Sequence, residues 1–396
     1  MTGKPDDQDP ATLLITSGRS NDPHVVNPPV TRASTHLYAD CAALRAGTRT
    51  NADGHYFYGR RGAPTQWALA EALTALEPGA AGTVLYPSGV AAIAGAILAV
   101  LRPGDVLLMT DNVYETSRNL ARGLLRRIGI ETRHFDPLDL DGFASLFCDR
   151  TRAVLLESPG SLTMEVSDVP ALAAIARERG AAVLIDNTWS TSLGFQSLRH
   201  GCDIAIQALT KHVGGHSDLM MGSCTANAAW YPRLRETAQQ FGQVVSPDDA
   251  ALALRGLRTM GLRLERATNS ALRIGEWLRE LAEVAEVLFP VLPGAPGHDL
   301  WRRDFTGGCG LLSFTLHPQF DDAARCRLID ALDLFGIGYS WGGFESLALP
   351  IDPSSARTAT VWPSDHMTIR LSIGLENPDD LVADLARGFA AMGGAG

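Results

Sequence analysis

From about residue 66 onward, apolar positions alternate between short runs and helical stripes. Trp67 to Leu76 places apolar residues at helical spacing. β-branched or leucine-rich runs follow at 83–86, 106–109, 131–135, 153–156, 182–185 and 203–207. Helical patterns begin between them near Val90, Ser117 and Val169. Near-continuous apolar strands separated by helices predict a mostly parallel sheet covered on both faces. A long helical region is then predicted from about Pro247 to Val287, opened by Ser246-Pro247-Asp248-Asp249. Arg255, Arg258, Arg263 and Arg266 fall on roughly one of its faces, which reads as solvated. Strands at 311–316 and 367–373, with a helix near 323–335, predict a smaller C-terminal α/β domain.

The first 60 or so residues lack this periodicity and carry turns such as Asn27-Pro28-Pro29. The cluster Tyr56-Phe57-Tyr58-Gly59-Arg60-Arg61 suits an arm lying on a partner surface. A solvated loop with one aromatic anchor is the other reading. The expected division is an N-terminal arm over 1–60, an α/β domain over 61–255 and a smaller α/β domain over 256–396.

Composition narrows the function classes. A chain of 396 residues, 45% hydrophobic, can bury a core large enough for two domains. A formal net charge of −10 removes any general attraction to nucleic acid or anionic lipid. Small molecules and copies of the chain itself are the expected partners. The acidic N-terminus has no apolar signal region. The apolar stretch 90–101 is shorter than the ~18 residues of a membrane span. Cys41, Cys148, Cys202, Cys224, Cys309 and Cys326 include no CxxC pair, which fits reduced thiols and a cytoplasmic protein.

No GxGxxG follows a candidate strand and no GxSxG occurs, so neither a dinucleotide fingerprint nor a hydrolase elbow is present. His212 and His216 are four apart without an HExxH arrangement, and no metal site is expected. Asp186 ends an apolar strand, where open α/β sheets place ligand groups. Lys211 follows the run Ile204-Ala205-Ile206 and precedes Gly214-Gly215-His216-Ser217. Pyridoxal phosphate needs such a pair, a lysine to form a Schiff base and a carboxylate to keep the pyridine nitrogen protonated. A strand-end turn and a surface lysine would use the same residues. Tyr86-Pro87-Ser88-Gly89-Val90, between a strand and a helix, suits a phosphate cradle, or only a cap and a turn. Tyr114 is either a ring-stacking residue or a buried tyrosine. Arg370, within an alternating strand, suits a substrate carboxylate or a structural ion pair.

These residues belong to a longer ordered set. Tyr58-Gly59-Arg60-Arg61-Gly62 is followed by Leu155-Leu156-Glu157-Ser158-Pro159-Gly160-Ser161 and Asp186-Asn187-Thr188-Trp189. Thr210-Lys211, Gly215-His216-Ser217-Asp218 and Arg255-Gly256-Leu257-Arg258-Thr259 come next. Tyr339-Ser340-Trp341-Gly342-Gly343-Phe344-Glu345-Ser346 and Ile369-Arg370-Leu371 complete it. From about residue 30 to 390 the chain resembles the Cys/Met-metabolism branch of the fold-type I pyridoxal-phosphate enzymes. The resemblance implies that Lys211 forms the Schiff base, Asp186 meets the pyridine nitrogen, and Tyr114 stacks on the ring and helps move protons. It implies phosphate binding by Gly89, the amide of Val90 and Thr210. Tyr58 and Arg60 match a pair that reaches a neighbouring subunit's phosphate, in a tetramer built from two dimers with shared sites. Arg370 matches the substrate-carboxylate arginine, and Ser340 and Trp341 line the same region.

Ser161-Leu162 stands where gamma-acting relatives usually carry Asn-Pro, and those relatives usually lack Trp341. Both features resemble the family's beta-eliminating branch. The expected reaction is α,β-elimination of L-cystathionine to homocysteine, pyruvate and ammonia. A broader cysteine-S-conjugate lyase, a cysteine desulfhydrase, and a gamma-synthase or sulfhydrylase are the alternatives. Gln207 stands where many relatives have a phosphate-contacting serine and receives no role. Ala63-Pro64-Thr65 replaces the usual Asn-Pro-Thr.

Overall fold

The computed structural model describes residues 8–20, 22, 24–49, 54–363 and 365–392. Residues 1–7, 21, 23 and 50–53 of the expected arm lie outside the described residues. The larger sheet consists of β1 (Gly82–Tyr86), β2 (Val106–Thr110), β3 (Glu131–Phe135), β4 (Thr151–Glu157), β5 (Ala182–Asp186), β6 (Ile204–Ala208) and β7 (Gly222–Ala226), in the order β1-β7-β6-β5-β4-β2-β3. The strands from β2 to β6 pair in parallel, whereas β7 is antiparallel to both β6 and β1.

The alternation along β5 explains the two covered faces. Leu184 packs beneath the Gly89–Val100 helix, with Ile93, Ala96 and Ile97. Val183 and Ile185 point the other way, toward Leu172, Ala173 and Ala176 of the Val169–Glu178 helix. Each fully buried Leu or Ile contributes about 2 kcal/mol to this three-layer core.

The second sheet contains β8 (Val284–Leu288), β9 (Leu311–Leu316), β10 (Gly336–Ile337), β11 (Leu347–Ile351) and β12 (Thr368–Ser372), in the order β10-β11-β12-β9-β8. It belongs to the smaller C-terminal α/β domain, and Ile274 and Leu278 of the Met260–Arg279 helix share its core.

Three local expectations change. β7 reads Gly-Ser-Cys-Thr-Ala, which has little strand propensity, and forms because β6 and β1 offer ladders on both sides. Gly222 permits that placement, since a Cβ there would lie 2.3 Å from the Ser88 carbonyl oxygen. The single helix expected from Pro247 to Val287 is two helices, Pro247–Arg258 and Met260–Arg279, followed by β8.

The arginine face is not uniformly solvated. Arg258 donates to the carbonyls of Leu14 (2.6 Å), Ser17 (2.7 Å) and Gly18 (3.3 Å). It thereby ties the Pro10–Thr16 helix, with buried Leu13 and Leu14, onto its own chain. Arg263 donates to the carbonyls of His212 (2.8 Å) and Gly256 (2.7 Å). Orphan carbonyls at loop and helix ends recruit these cations, a demand that helical periodicity does not reveal.

The two domains meet at a buried carboxylate. Asp111, just past β2, is fully buried and paired with equally buried Arg118 at 2.9 Å. It also accepts the amides of Thr358 (3.0 Å), Ala359 (2.9 Å) and Thr360 (2.7 Å), and the hydroxyls of Thr358 (3.0 Å) and Thr360 (2.8 Å). Three successive amides of the smaller domain thus form a nest around one anion of the larger domain. Beside it, Arg357 donates to Glu165 at 2.9 Å.

Burial pushes the Asp111 carboxyl up, but the Thr360 hydroxyl, the amides of Thr360 and Thr358 and the Arg118 guanidinium outweigh it and hold the group well below the usual range. Asp111→Asn removes the charge and leaves Arg118 buried without its counter-ion. Denaturant unfolding should show a loss of about 3–5 kcal/mol; a loss under about 1 kcal/mol would contradict this account. Because the folded-state pKa is depressed, the wild-type contribution is present above the unfolded value of about 3.9 and disappears as pH falls through the lower folded value. The difference between the two proteins should therefore shrink in acid.

Candidate active site

The parallel strands deliver their polar residues at one edge. Asp186 is the last residue of β5, and Glu157, the last of β4, stands opposite it in register. One Asp186 oxygen accepts the Thr188 amide at 3.0 Å and also the Thr188 hydroxyl. That hydroxyl accepts the Ala208 amide at 2.9 Å, so Asp186 is clamped to the end of β6. Burial raises the Asp186 carboxyl, while both Thr188 groups and the Lys211 charge favour its anion.

Lys211 lies three residues beyond β6, in a turn whose His212 carbonyl is held by Arg263. Its ammonium donates to Ser340 Oγ at 2.6 Å and sits 5.2 Å from the Trp341 ring centroid. Burial pulls this amine down to about 8, the charge of Arg370 adds to the effect, and Asp186 opposes it. Arg370, central in β12, donates to the Ser340 carbonyl at 2.9 Å. Burial lowers its pKa to about 10.

Ser340 therefore meets both cations, through its side chain and its backbone. Its φ of 81° lies in the left-handed region, a cost that the two hydrogen bonds help to offset. His212 is buried with its ring 5.2 Å from Trp341, and burial followed by Arg263 lowers it to about 3, so it is neutral. His216 Nδ1 lies 2.8 Å from the Gly214 carbonyl oxygen.

The Gly89–Val100 helix begins beside this edge. Ser88 caps it, with Oγ accepting the Ala91 amide at 3.1 Å. The amides of Gly89 and Val90 precede any partner in the helix and point out of its positive end. A Cβ on Gly89 would lie 2.8 Å from the Ala208 Cβ, so only glycine lets the turn approach β6 so closely. These groups fit pyridoxal phosphate. The helix start suits its phosphate, Asp186 its ring nitrogen and Lys211 its aldehyde. The Thr210 hydroxyl, at the lysine turn, exchanges hydrogen bonds with the backbone of Met221. Tyr114 caps the Glu115–Leu120 helix, and its amide donates to Glu157 at 2.7 Å, while the residue is 45% exposed.

Tyr58 and Arg60 lie elsewhere. Arg60 donates to the Gln239 carbonyl at 2.8 Å, and Tyr58 is 45% exposed. Among the described residues, neither bonds to Lys211, Asp186 or the Ser88–Gly89–Val90 turn. Arg60 lines a groove of about 670 Å³ with Trp67, Glu71, Tyr231 and Gln239, and neither Lys211 nor Arg370 reaches it. Gln207 is buried and donates to Ser192 Oγ at 3.1 Å, in a network with buried Glu77. Thr188 and Glu157 lie within the sequence motifs without a role there and acquire one only in three dimensions. The Asp-x-Thr spacing, which permits an aspartate side chain to accept the amide two residues on, was the available signal for Thr188. Nothing in the spacing marks Glu157.

The fold and this edge together define a fold-type I pyridoxal-phosphate enzyme of carbon–sulfur chemistry. A Cys/Met metabolism PLP-dependent enzyme family model matches residues 11–390. The chain belongs to that family, and its cofactor is pyridoxal phosphate. It is similar to cystathionine beta-lyase MetC of Escherichia coli, 43% identical over 390 residues that cover 96% of this chain and 98% of that one. The cystathionine beta-lyase of Salmonella typhimurium is 42% identical over the same length and shares. A crystal structure of cystathionine gamma synthase from Xanthomonas oryzae, in complex with aminoacrylate and cysteine, superposes with a TM-score of 0.88 at 31% identity. It covers 97% of this chain and 98% of that one. The chain is thus a lyase or transferase acting on sulfur amino acids.

The depressed Lys211 amine has a measurable consequence. It loses its proton as pH rises through about 8, and only the neutral amine can attack an aldehyde. The rate of cofactor capture by the cofactor-free protein should rise through that pH, followed by absorbance in stopped flow. Arg370→Leu removes a neighbouring positive charge and should move the midpoint upward; an unchanged or lower midpoint would refute the coupling.

Proposed function

We propose that the enzyme is a carbon–sulfur beta-lyase that cleaves L-cystathionine to homocysteine, pyruvate and ammonia. The observation that carries this reading is the Trp341 ring beside the Lys211 amine, at 5.2 Å. That aromatic wall is a feature of the beta-eliminating branch. Ser161-Leu162, in place of Asn-Pro, supports the same choice.

When bound, pyridoxal phosphate supplies an electron sink for the charge left on the substrate Cα. In our reading the chain's own groups do the rest. The amides of Gly89 and Val90, with Thr210, hold the phosphate, and Asp186 holds the proton at the ring nitrogen. Arg370 grips the substrate carboxylate with its planar fork, and Ser340 and Trp341 line that pocket. Lys211, as the neutral amine, takes the Cα proton, and Tyr114 assists the transfer. The thiolate leaves Cβ with the bonding pair, and the three-carbon remainder hydrolyses to pyruvate and ammonia. A site held this rigidly spares the reaction the entropy of aligning base and carboxylate.

Products separate this reading from its relatives. With L-cystathionine, purified enzyme should release pyruvate and homocysteine; 2-oxobutyrate with cysteine would mean gamma-cleavage. Net synthesis of cystathionine from cysteine and an activated homoserine would mean a gamma-synthase. Borohydride reduction of the holoenzyme should fix the cofactor to Lys211, and a label on another lysine would displace it from its role.

The same reading makes the enzyme a cytoplasmic homotetramer built from two dimers, in which Tyr58 and Arg60 complete a neighbour's phosphate site. The arm's exposed tyrosine and its separation from Lys211 support this. Lys211→Ala and Arg60→Ala homo-oligomers should each have low activity. After joint unfolding and refolding, hybrid dimers contain one site with both intact groups, so part of the activity should return. Hybrids seen by mass but without activity would mean that Arg60 serves its own chain.

A further inference from the structure

Glu157 is a carboxylate that the proposed reaction leaves without a task. β4 and β5 are parallel, and Glu157 and Asp186 are partners in register at their ends. Registered neighbours project from the same face of a sheet, about 4.8 Å apart. Two carboxylates so placed do not both ionise readily, because each charge opposes the other. Their other partners decide which one keeps the proton. Asp186 has the Thr188 amide, the Thr188 hydroxyl and the nearby ammonium of Lys211 to favour its charge. Glu157 has a single donor, the Tyr114 amide, and no ion pair among the described residues. On this side of the sheet Cys224 of β7 donates its thiol to the Ala92 carbonyl at 3.2 Å, beside the buried Tyr86, and burial keeps both protonated.

We propose that Glu157 is a positioning residue that holds, as a neutral acid, the one proton of a carboxylate pair with Asp186 and ties the pair to the backbone of Tyr114. The site floor then carries one negative charge instead of two, located at Asp186. Tyr114 is held where its chain enters the Glu115–Leu120 helix. Burial, and then the Asp186 charge, push the Glu157 carboxyl well above its usual range against the Tyr114 amide, which agrees with this distribution. The functional consequence rests on the assignment of Asp186 to the ring nitrogen; the proton count does not, and it is read without cofactor.

Infrared difference spectra of the cofactor-free protein at neutral pH provide the test. Wild type minus Glu157→Gln should show the carbonyl stretch of a protonated carboxylic acid. Subtraction cancels Glu77, whose carboxyl burial raises to about 7. The same band should persist in Asp186→Asn. A band lost in Asp186→Asn and kept in Glu157→Gln would put the proton on Asp186, and no acid band from either residue would mean that both are ionised. Either result overturns the proposal. If Glu157→Gln fails to fold, wild type minus Asp186→Asn decides alone: loss of carboxylate absorption supports the proposal and loss of acid absorption overturns it. The tie to Tyr114 has its own readout. Glu157→Ala should lower kcat roughly tenfold or more, with KM changed less, and Glu157→Gln, which still accepts the Tyr114 amide, should recover most of that loss. Equal losses in both variants would remove the positioning role.

Discussion

A buried charge has to be answered from another part of the chain, and much of this structure follows from that demand. The carboxyl edge of the large sheet collects Glu157, Asp186 and Lys211 in surroundings that disfavour ions. Thr188, the Tyr114 amide, Ser340 and Arg263 are drawn to that edge from four separate segments. Each contributes a hydrogen bond or a fixed turn, and together they hold the groups at a spacing that no single element could impose.

The same demand joins the two domains. Asp111 follows β2 three residues before Tyr114, and the nest of Thr358, Ala359 and Thr360 precedes β12, the strand of Arg370. One anion thereby links the chain leading to Tyr114 with the chain leading to Arg370. Arg118, one helical turn into the segment that Tyr114 caps, is the cation that makes its burial tolerable. Packing supplies most of the free energy, through an apolar cluster that runs across both domains, and this charged junction adds a buried polar contact between them.

Glycine contributes where backbones must approach. Gly89 and Gly222 both sit at the meeting of the first helix of the sheet with β6 and β7, and side chains there would collide with Ala208 and the Ser88 carbonyl. The helix start can then come down onto the edge that carries Lys211. Cradle and lysine are brought together by close contact of main chains, and the anion-binding end of the helix faces the place where a phosphate is needed.

The apolar runs at β2, β4, β5 and β6 were legible in the sequence because strands buried on both faces read as continuous hydrophobic segments, and the lysine–aspartate pair with its glycine turn was legible because its chemistry demands those residue types. The strand Gly222–Ala226 was not legible, since its residues have little preference of their own and neighbouring ladders decide its form. Nor were the tasks of Arg258 and Arg263, which looked like a solvated stripe and instead hold carbonyls of remote loops. The sequence by itself determined the layered α/β architecture and which residues could carry the chemistry, because both depend on local pattern and residue type. Only the tertiary structure decided that Glu157 lies beside Asp186, that Ser340 meets both cations and that Asp111 locks the domains together. Those contacts join residues far apart in the chain, and their energies depend on burial and distance, which no local pattern encodes.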